Sequence, residues 1–144
     1  VEDAALFDFV AADGYKGGFD FTPGQYLSVR VPGVLDPDGD VVAPRHYTVT
    51  SAPGDDKLSI AVRRVDGGFV SNLLHDSVNE GSAVELTAPF GVFSPGAEDS
   101  DAHNSVLISA GIGQTPMLAF ARALGKEARA VHVERSSARD VFGK

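Results

Sequence analysis

Residues 105–116, SVLISAGIGQTP, decide the fold class of the second part of this chain. The run Ser105–Ala110 has the continuous pattern of a buried strand rather than an alternating one, as a parallel sheet covered on both faces requires. The helix predicted after it has Thr115 at its N-cap, Pro116 at its first position and Gly125 at its C-terminal stop. These signals predict a strand followed by a well-delimited helix.

A second strand is predicted at Arg129–Val133, so this segment has the order strand, helix, strand. That order is the opening unit of a doubly wound α/β fold. The preceding segment, Ser94–Asn104, is acidic and rich in residues that break regular structure, which predicts a linker. We therefore expect a β domain at residues 1–95 and the incomplete first part of an α/β domain at residues 105–144.

Upstream of the linker, residues 4–92 consist of short alternating apolar runs separated by Gly, Pro and Asp, a pattern typical of an antiparallel all-β unit. The alternation is clearest in the strand predicted at residues 58–63. Phe69–Val78 instead has helical spacing and predicts a short helix between strands. The other predicted strands are Leu6–Ala11, Tyr26–Val31, Arg45–Ser51 and Ala83–Thr87, and an exposed hairpin loop is predicted at Pro32–Pro44.

Composition limits the classes of partner. The chain has 144 residues, a net charge of -8 and no cysteine, and it lacks the basic stripe that binding to nucleic acid requires. No window approaches the ~20 apolar residues of a membrane-spanning helix. A cytoplasmic protein without membrane contact is therefore predicted. The four histidines do not have the spacing of metal ligands, so no metal site is predicted.

The segment Arg45-His46-Tyr47-Thr48, on a predicted strand, is a candidate dinucleotide site. A guanidinium on a rigid strand can form charge-assisted, often bidentate bonds to the pyrophosphate of a flavin dinucleotide. Tyr47 projects from the same strand face as Arg45, so its ring could lie flat on an isoalloxazine, while Thr48 would bring a hydroxyl near the flavin's reactive edge. Taken alone, these residues also fit an ordinary strand with a surface arginine and a half-buried tyrosine.

Two glycine turns are further candidate anion sites. Gly68 and Ser71 form a predicted turn before a helix N-terminus, whose free N–H groups and dipole favour a phosphate. Simple capping of that helix by Ser71 is the alternative. Gly111 and Gly113 would allow the backbone to approach a phosphate closely. However, Pro116 stands where the dinucleotide fingerprint G-x-G-x-x-G has its third glycine, so this turn also fits any α/β protein.

Five segments together resemble the reductase region of flavohaemoglobins. They are Pro23–Tyr26, Arg45–Thr48, Val70–Asp76, Leu86–Phe93 and Leu107–Met117. The resemblance covers nearly the whole chain and implies an antiparallel Greek-key FAD-binding β-barrel, followed by the start of an α/β Rossmann-like NAD(P)-binding lobe. It also implies an oxidoreductase that passes electrons from NAD(P)H through FAD to a haem globin, which acts as a nitric oxide dioxygenase and converts nitric oxide to nitrate.

The same resemblance implies the residues of the site. Tyr47 and Thr48 are the implied catalytic residues beside the flavin. The implied FAD contacts are Tyr26, Arg45, His46 through its backbone only, Tyr47, Thr48, Gly68, Val70 and Ser71. The implied contacts to the nicotinamide nucleotide are Gly111, Ile112, Gly113, Gln114, Thr115 and Pro116.

Several questions stay open at this point. We expect a fragment that ends at Lys144 and carries no globin ahead of Val1, because residues 105–144 are too few for a six-stranded nucleotide fold. A reductase component for a ferredoxin or an oxygenase, or a non-catalytic flavin-binding domain, would also fit. The choice between NADH and NADPH is not decided, because Glu134 and Arg135 follow the second strand with opposite implications.

Overall fold

The computed structural model of the chain describes residues 3–13, 15, 19–94, 105–125, 128–136 and 142. Its elements in chain order are the strands β1 (Ala4–Phe9), β2 (Tyr26–Arg30), β3 (Arg45–Thr48) and β4 (Leu58–Arg63), the helix α1 (Phe69–Ser77), the strands β5 (Glu85–Leu86) and β6 (Val106–Ala110), the helix α2 (Gln114–Leu124) and the strand β7 (Arg129–Val133). No helix in these described ranges is long and apolar enough to cross a membrane.

The strands β1 and β4 pair along their whole length in an antiparallel ladder. Leu58, Ile60 and Val62 lie in the main hydrophobic core, which confirms the face predicted from the alternation. The other face of β4 is covered as well, since Ser59 donates a hydrogen bond of 2.6 Å to the Asp8 carboxylate on β1. Because both faces are covered, β4 is the most buried strand of the β-rich part, which comprises β1 to β5 and α1.

A second antiparallel sheet has the strand order β3-β2-β5. Leu27 and Val29 of β2 are fully buried and contribute to the same core. An isolated bridge between Val49 and Ile60 joins this sheet to the β1–β4 ladder. In the part of the chain that the structure describes, no closed barrel is seen, and the strand β5 at the sheet edge is only 2 residues long.

Beyond the β-rich part, β6 and β7 pair in parallel, with α2 between them in the chain. The helix contacts both strands and buries Thr115, Ala119 and Phe120. The order strand, helix, strand was therefore predicted correctly. A parallel pair needs such a crossover connection, because a tight hairpin can join only antiparallel strands.

Some predicted bounds were wrong. β1 is the strand predicted at Leu6–Ala11, but it begins and ends two residues earlier. β3 does not extend to Ser51, because the Thr50 N–H turns away and donates to the Ser59 carbonyl at 2.8 Å. β5 is shorter than the predicted Ala83–Thr87, because the Thr87 hydroxyl replaces a ladder bond by accepting the N–H of Ser28 at 3.0 Å. The loop at Pro32–Pro44 does form a hairpin, which a bridge between residues 35 and 41 closes. Of the predicted linker, only residue 94 lies within the described ranges.

The helix α2 lies directly against the β-rich part at Gly24. A Cβ atom there would stand 1.9 Å from the Phe93 carbonyl oxygen and 2.5 Å from the Phe120 ring. The rings of Phe93 and Phe120 are 5.2 Å apart between centroids. Next to this contact, the Arg122 guanidinium donates to the carbonyl of Thr50. The two parts of the chain therefore share a packed interface.

Candidate functional site

Arg45 begins β3, and its side chain is exposed. The antiparallel register with β2 places it on the same strand face as Tyr47, as the strand period predicts. Its guanidinium donates to the backbone carbonyls of Ala43 at 3.0 Å and Pro44 at 3.2 Å. Among the described residues no carboxylate pairs with Arg45, so the side chain is held in place with its charge uncompensated.

Tyr47 is partly buried against the main core. Burial raises the pKa of its phenol, and the nearby charge of Arg45 acts in the opposite direction. With a pKa above its usual value, the phenol is neutral at physiological pH and can donate a hydrogen bond. The ring next to Arg45 is therefore a neutral aromatic surface.

The other face of β3 carries an aromatic cluster. The Tyr26 ring lies 5.4 Å from the His46 ring and 4.3 Å from the Phe90 ring, measured between centroids. His46 Nδ1 is 2.9 Å from Ser28 Oγ. Thr48 stands opposite Tyr26 in the strand register and so shares this face. The His46 side chain is thus engaged within the protein, by Ser28 and Tyr26, and the prediction that His46 contacts FAD through its backbone only stays a prediction.

The helix α1 begins at a double-glycine turn. Gly67 has a φ of 68°, and Gly68 is the N-cap without any side-chain cap bond. Ser71 is not the cap, because it lies inside the helix, where its hydroxyl accepts the N–H of Val65 at 3.1 Å and donates to the Gly68 carbonyl at 3.2 Å. The capping alternative for Ser71 is therefore wrong. The hydroxyl closes the preceding turn and leaves the helix N-terminus without a side-chain acceptor.

Space at this turn is tight on its inner side. A Cβ atom at Gly68 would lie 2.9 Å from both the Ser71 hydroxyl and the Val65 Cβ, so a glycine is needed there. Val70 is only 6% exposed and belongs to the main core. Of the Val70 atoms, only the backbone can therefore contact a ligand.

A groove runs beside α1 and includes the glycine turn. It is lined by Pro37, Gly67, Gly68, Phe69, Asn72, Leu73, Asp76 and Ser77. None of its lining residues comes from β3. Within the described ranges, no hydrogen bond or ion pair joins Arg45 to Gly68 or Ser71. In the residues that the structure describes, the two halves of the predicted pyrophosphate site therefore make no direct contact with each other.

The loop after β6 is a 3-10 turn, Gly111–Gly113, that runs directly into α2. The N-cap of α2 is Gly113 and not the predicted Thr115, whose hydroxyl donates to the Ile112 carbonyl at 3.1 Å. The prediction placed the helix start too late, because Gly111, with a φ of 53°, already turns the chain where the strand ends. The turn still brings two glycines next to a helix N-terminus.

Three more residues define this loop and its helix. Pro116 lies in the first turn of α2, where its missing N–H is not needed. The side-chain oxygen of Gln114 is buried and has no hydrogen-bond donor among the described residues, so a bound hydroxyl or amide group would satisfy it. Gly125 ends the helix with a φ of 68°, as predicted.

Sequence reasoning missed two neighbours of Tyr26. Phe90 packs against its ring at an interplanar angle of 59°, and a Cβ atom at Gly91 would lie 2.8 Å from that ring. Both residues belong to the segment LTAPFGVF that carries the family resemblance, so a signal was present. The local periodicity of the sequence could not reveal these contacts, because it carries no information on which distant strand ends meet.

The residues present fit FAD. Arg45 offers an exposed guanidinium whose charge has no carboxylate partner among the described residues, which suits a diphosphate. Tyr47 supplies a neutral aromatic ring on the same strand face. The uncapped start of α1 at Gly68 supplies backbone N–H groups suited to an anion.

Comparison with known proteins identifies a matching family and several similar proteins. The family model described as "Oxidoreductase FAD-binding domain" matches residues 2–94. A flavohemoprotein of Bordetella pertussis is 38% identical over 146 residues, which cover 94% of this chain and 35% of that protein. The ferredoxin reductase component of 3-ketosteroid-9-alpha-monooxygenase from Mycolicibacterium smegmatis is 36% identical over 124 residues, covering 83% of this chain and 33% of that protein. The chain spans about a third of the length of these curated relatives.

A solved structure is similar along nearly the whole chain. The flavohem-like FAD/NAD-binding domain of nitric oxide dioxygenase from Vibrio cholerae superimposes with a TM-score of 0.85 and is 30% identical. The superposition covers 99% of this chain and 61% of that one. The chain therefore has the fold of the corresponding part of that domain.

Proposed function

Because the chain belongs to the oxidoreductase FAD-binding domain family, we propose that it is the FAD-dependent electron-transfer module of an NAD(P)H oxidoreductase of the flavohaemoprotein type. Arg45 and the turn at Gly68 bind the FAD pyrophosphate, and Tyr47 and Thr48 lie at the flavin ring. When bound, FAD supplies the redox chemistry, while the protein binds and orients it. Tyr26 contributes to the site from the aromatic cluster on the opposite face of β3.

The proposal divides the chain into an FAD-binding domain at residues 1–95 and the first part of an NAD(P)-binding lobe at residues 105–144. The family match ends at residue 94, which supports this division. The order strand, helix, strand of β6, α2 and β7 supports the second assignment. Closure of the β-rich part into a Greek-key barrel belongs to the same proposal, with the bridge between Val49 and Ile60 as the point where its two sheets join.

The observation that carries the proposal is the set of hydrogen-bond partners of Arg45. In a chain of net charge -8, this exposed arginine donates to two backbone carbonyls, at 3.0 and 3.2 Å, and to no other group in the described residues. A guanidinium has five N–H donors in a planar fork, so donors remain for a diphosphate. Tyr47 shares its strand face and stays protonated, which places a neutral ring beside the cation.

The start of α1 supports the second half of the pyrophosphate site. The first N–H groups of a helix have no partner inside the helix, and the helix dipole adds positive potential there. At Gly68 no side chain caps these groups, since the Ser71 hydroxyl is used by the preceding turn. Glycine at this position also allows a phosphate to approach the backbone closely.

The turn Gly111–Gly113 and the first turn of α2 are proposed to bind the nicotinamide nucleotide. The positive φ of Gly111 brings the chain from the end of β6 directly into a helix N-terminus, which favours a pyrophosphate. The buried oxygen of Gln114 would accept a hydrogen bond from the nucleotide. Thr115 and Pro116 hold the start of the helix in place.

A haem globin is the proposed electron acceptor, because a flavohemoprotein and a nitric oxide dioxygenase are among the similar proteins. A ferredoxin or an oxygenase is the second candidate, since another relative is the ferredoxin reductase component of a monooxygenase. Rates of electron transfer from the reduced protein to a purified haem globin and to a [2Fe-2S] ferredoxin separate the two. A cytoplasmic location is part of the same proposal.

Flavin selectivity tests the proposal directly. The purified protein is expected to be yellow and to bind FAD more tightly than FMN, because Arg45 and the turn at Gly68 are both assigned to a pyrophosphate that FMN lacks. Titration of flavin fluorescence with the protein measures both affinities. Equal affinity for the two flavins would show that the pyrophosphate assignment is wrong.

A further inference from the structure

An ion pair connects the β-rich part to the unit formed by β6, α2 and β7. Arg63 ends β4, and its Nη2 atom lies 2.9 Å from Oε2 of Glu134, which directly follows β7. The two side chains are only 15% and 9% exposed. On its other side, Arg63 Nε lies 3.4 Å from Oδ1 of Asp3, just before β1. Arg63 therefore lies between the carboxylate of Asp3, in the β-rich part, and the carboxylate of Glu134, in the unit formed by β6, α2 and β7.

Both oxygens of Glu134 are in use. Oε1 accepts the backbone N–H of Arg135 and Oε2 accepts Arg63, each at 2.9 Å. These bonds lower the pKa of the Glu134 carboxyl, the bond from the Arg135 N–H most of all. His132 Nε2 lies 4.0 Å from the same Oε2, while its Nδ1 is 2.9 Å from the Ser109 hydroxyl on β6. The carboxylate is thus committed to contacts within the protein rather than to a ligand.

The pair lies at the turn that we assign to the nucleotide. A Cβ atom at Gly111 would stand 3.3 Å from Arg63 Nη1 and 3.9 Å from Glu134 Oε2. Gly111 directly follows β6 and Glu134 directly follows β7, so both lie at the carboxyl edge of the parallel pair, where open α/β sheets bind their ligands. Arg63 therefore reaches from the β-rich part onto this edge.

We propose that Arg63 is a positioning residue that sets, through Glu134, the orientation of the turn Gly111–Gly113 (the nucleotide turn) relative to the proposed flavin site. The inference rests on the proposed function for the meaning of that turn. The helix α2 attaches the two parts on one side, through the contact of Phe120 with Phe93 and the bond from Arg122 to the Thr50 carbonyl, and attachment through one helix allows rotation about it. The ion pair is a second attachment at a different place, so the two together fix one orientation.

Orientation matters because a nicotinamide must be held about 3–3.5 Å from a flavin for reaction. The pair is suited to this role because both charges are largely shielded from water. Removing Arg63 leaves the Glu134 carboxylate in the interface without its guanidinium partner, and removing Glu134 leaves Arg63 bound only within its own part, so either change favours separation of the two parts.

The absence of cysteine makes the orientation directly measurable. Ser77→Cys on α1 and Ala123→Cys on α2 replace exposed helical residues and accept one spin label each. Electron–electron double resonance on the labelled, FAD-loaded chain is expected to give one narrow distance. Arg63→Gln and Glu134→Ala should each lose that narrow distance. The double variant should be no broader than either single variant, because both remove the same contact.

Two controls separate positioning from a general structural role. Asp3→Asn removes the partner of Arg63 within the β-rich part and should keep the narrow distance, whereas Arg63→Lys keeps the charge and should largely restore it. If Glu134→Ala does not fold, Glu134→Gln, which keeps the side-chain size, takes its place as the test of the ion pair. An unchanged distance in Arg63→Gln and Glu134→Gln, or an equal loss in Asp3→Asn, overturns the proposal. FAD affinity, measured on the same samples, should not change, and failure of the parent chain to bind FAD refutes the proposed function instead.

Discussion

At the scale of single residues, Arg45 differs from other arginines of the β-rich part in its partners. Arg30 forms an ion pair with Glu85, and Arg64 forms one with Asp76 at 2.7 Å. Arg45 meets backbone carbonyls instead. Exposed ion pairs contribute little to stability. The difference in partners between these arginines therefore concerns whether the guanidinium charge is available to a ligand, and not the stability of the fold.

Arg45→Ala should weaken FAD binding by about 1.5–3 kcal/mol, which is about tenfold to more than a hundredfold in affinity, because it removes bonds to a charged group. Arg30→Ala on the adjacent strand is the matched control, since it removes an exposed arginine outside the proposed site. Fluorescence titration with FAD measures both variants. If the two variants bind FAD equally well, Arg45 is a bystander.

Tyr47→Ala should loosen the flavin and brighten its fluorescence, because a stacked phenol quenches and shields the ring. Tyr26→Ala provides the comparison, since the Tyr26 ring is already in contact with His46 and Phe90. Emission of the bound FAD is measured for each variant at saturating protein. Quenching that survives in Tyr47→Ala and disappears in Tyr26→Ala would make Tyr26 the partner of the flavin ring.

At the scale of elements, the contact between α2 and the β-rich part depends on a residue without a side chain. Gly24 has a φ of 93° and sits against both the Phe93 backbone and the Phe120 ring. A glycine is required here for two separate reasons, its backbone conformation and the lack of space. Gly33 shares only the first, since it has a φ of 74° and no neighbour within 4 Å of a Cβ.

Gly24→Ala should therefore destabilise the protein more than Gly33→Ala. The left-handed backbone costs a residue with a Cβ about 1–2 kcal/mol in either variant. Overpacking adds about 1–3 kcal/mol at Gly24 alone, because the nearest atom belongs to the backbone and cannot rotate away. Urea unfolding of both variants measures the difference. Similar losses of stability would show that the interface with α2 opens without cost.

At the scale of the whole molecule, the chain combines a β-rich part that carries the residues proposed to bind the flavin with a short α/β unit that carries the turn proposed to bind the nucleotide. The unit has two parallel strands and one helix in its described residues. A six-stranded dinucleotide fold holds its ligand with several more elements. We therefore expect the short unit to bind a pyrophosphate without positioning the nicotinamide.

The 144-residue chain is accordingly expected to bind FAD but to be reduced by NADH slowly or not at all. Stopped-flow absorbance follows bleaching of the bound flavin after mixing with NADH. Dithionite serves as the control, because it should bleach the same sample and so show that the flavin can be reduced. Fast bleaching by NADH would mean that residues 105–144 suffice to position the nicotinamide.

Local patterns in the sequence were sufficient for the elements. The alternation at residues 58–63 correctly predicted the core face of β4, and the glycine at position 125 correctly predicted the end of α2. Such signals are local, because strand and helix periods and terminal residues act within one element. A predicted strand end was wrong where a backbone N–H bonds to a distant residue, as the Thr50 N–H does to the Ser59 carbonyl.

The chain's own sequence thus determined its elements, their order and the family resemblance of its motifs. Only the tertiary structure decided that Tyr26 packs with Phe90 and that Arg63 reaches Glu134 across the interface. The physical reason is that these contacts join residues far apart in the chain. No period or spacing records them, because they depend on how completed elements pack.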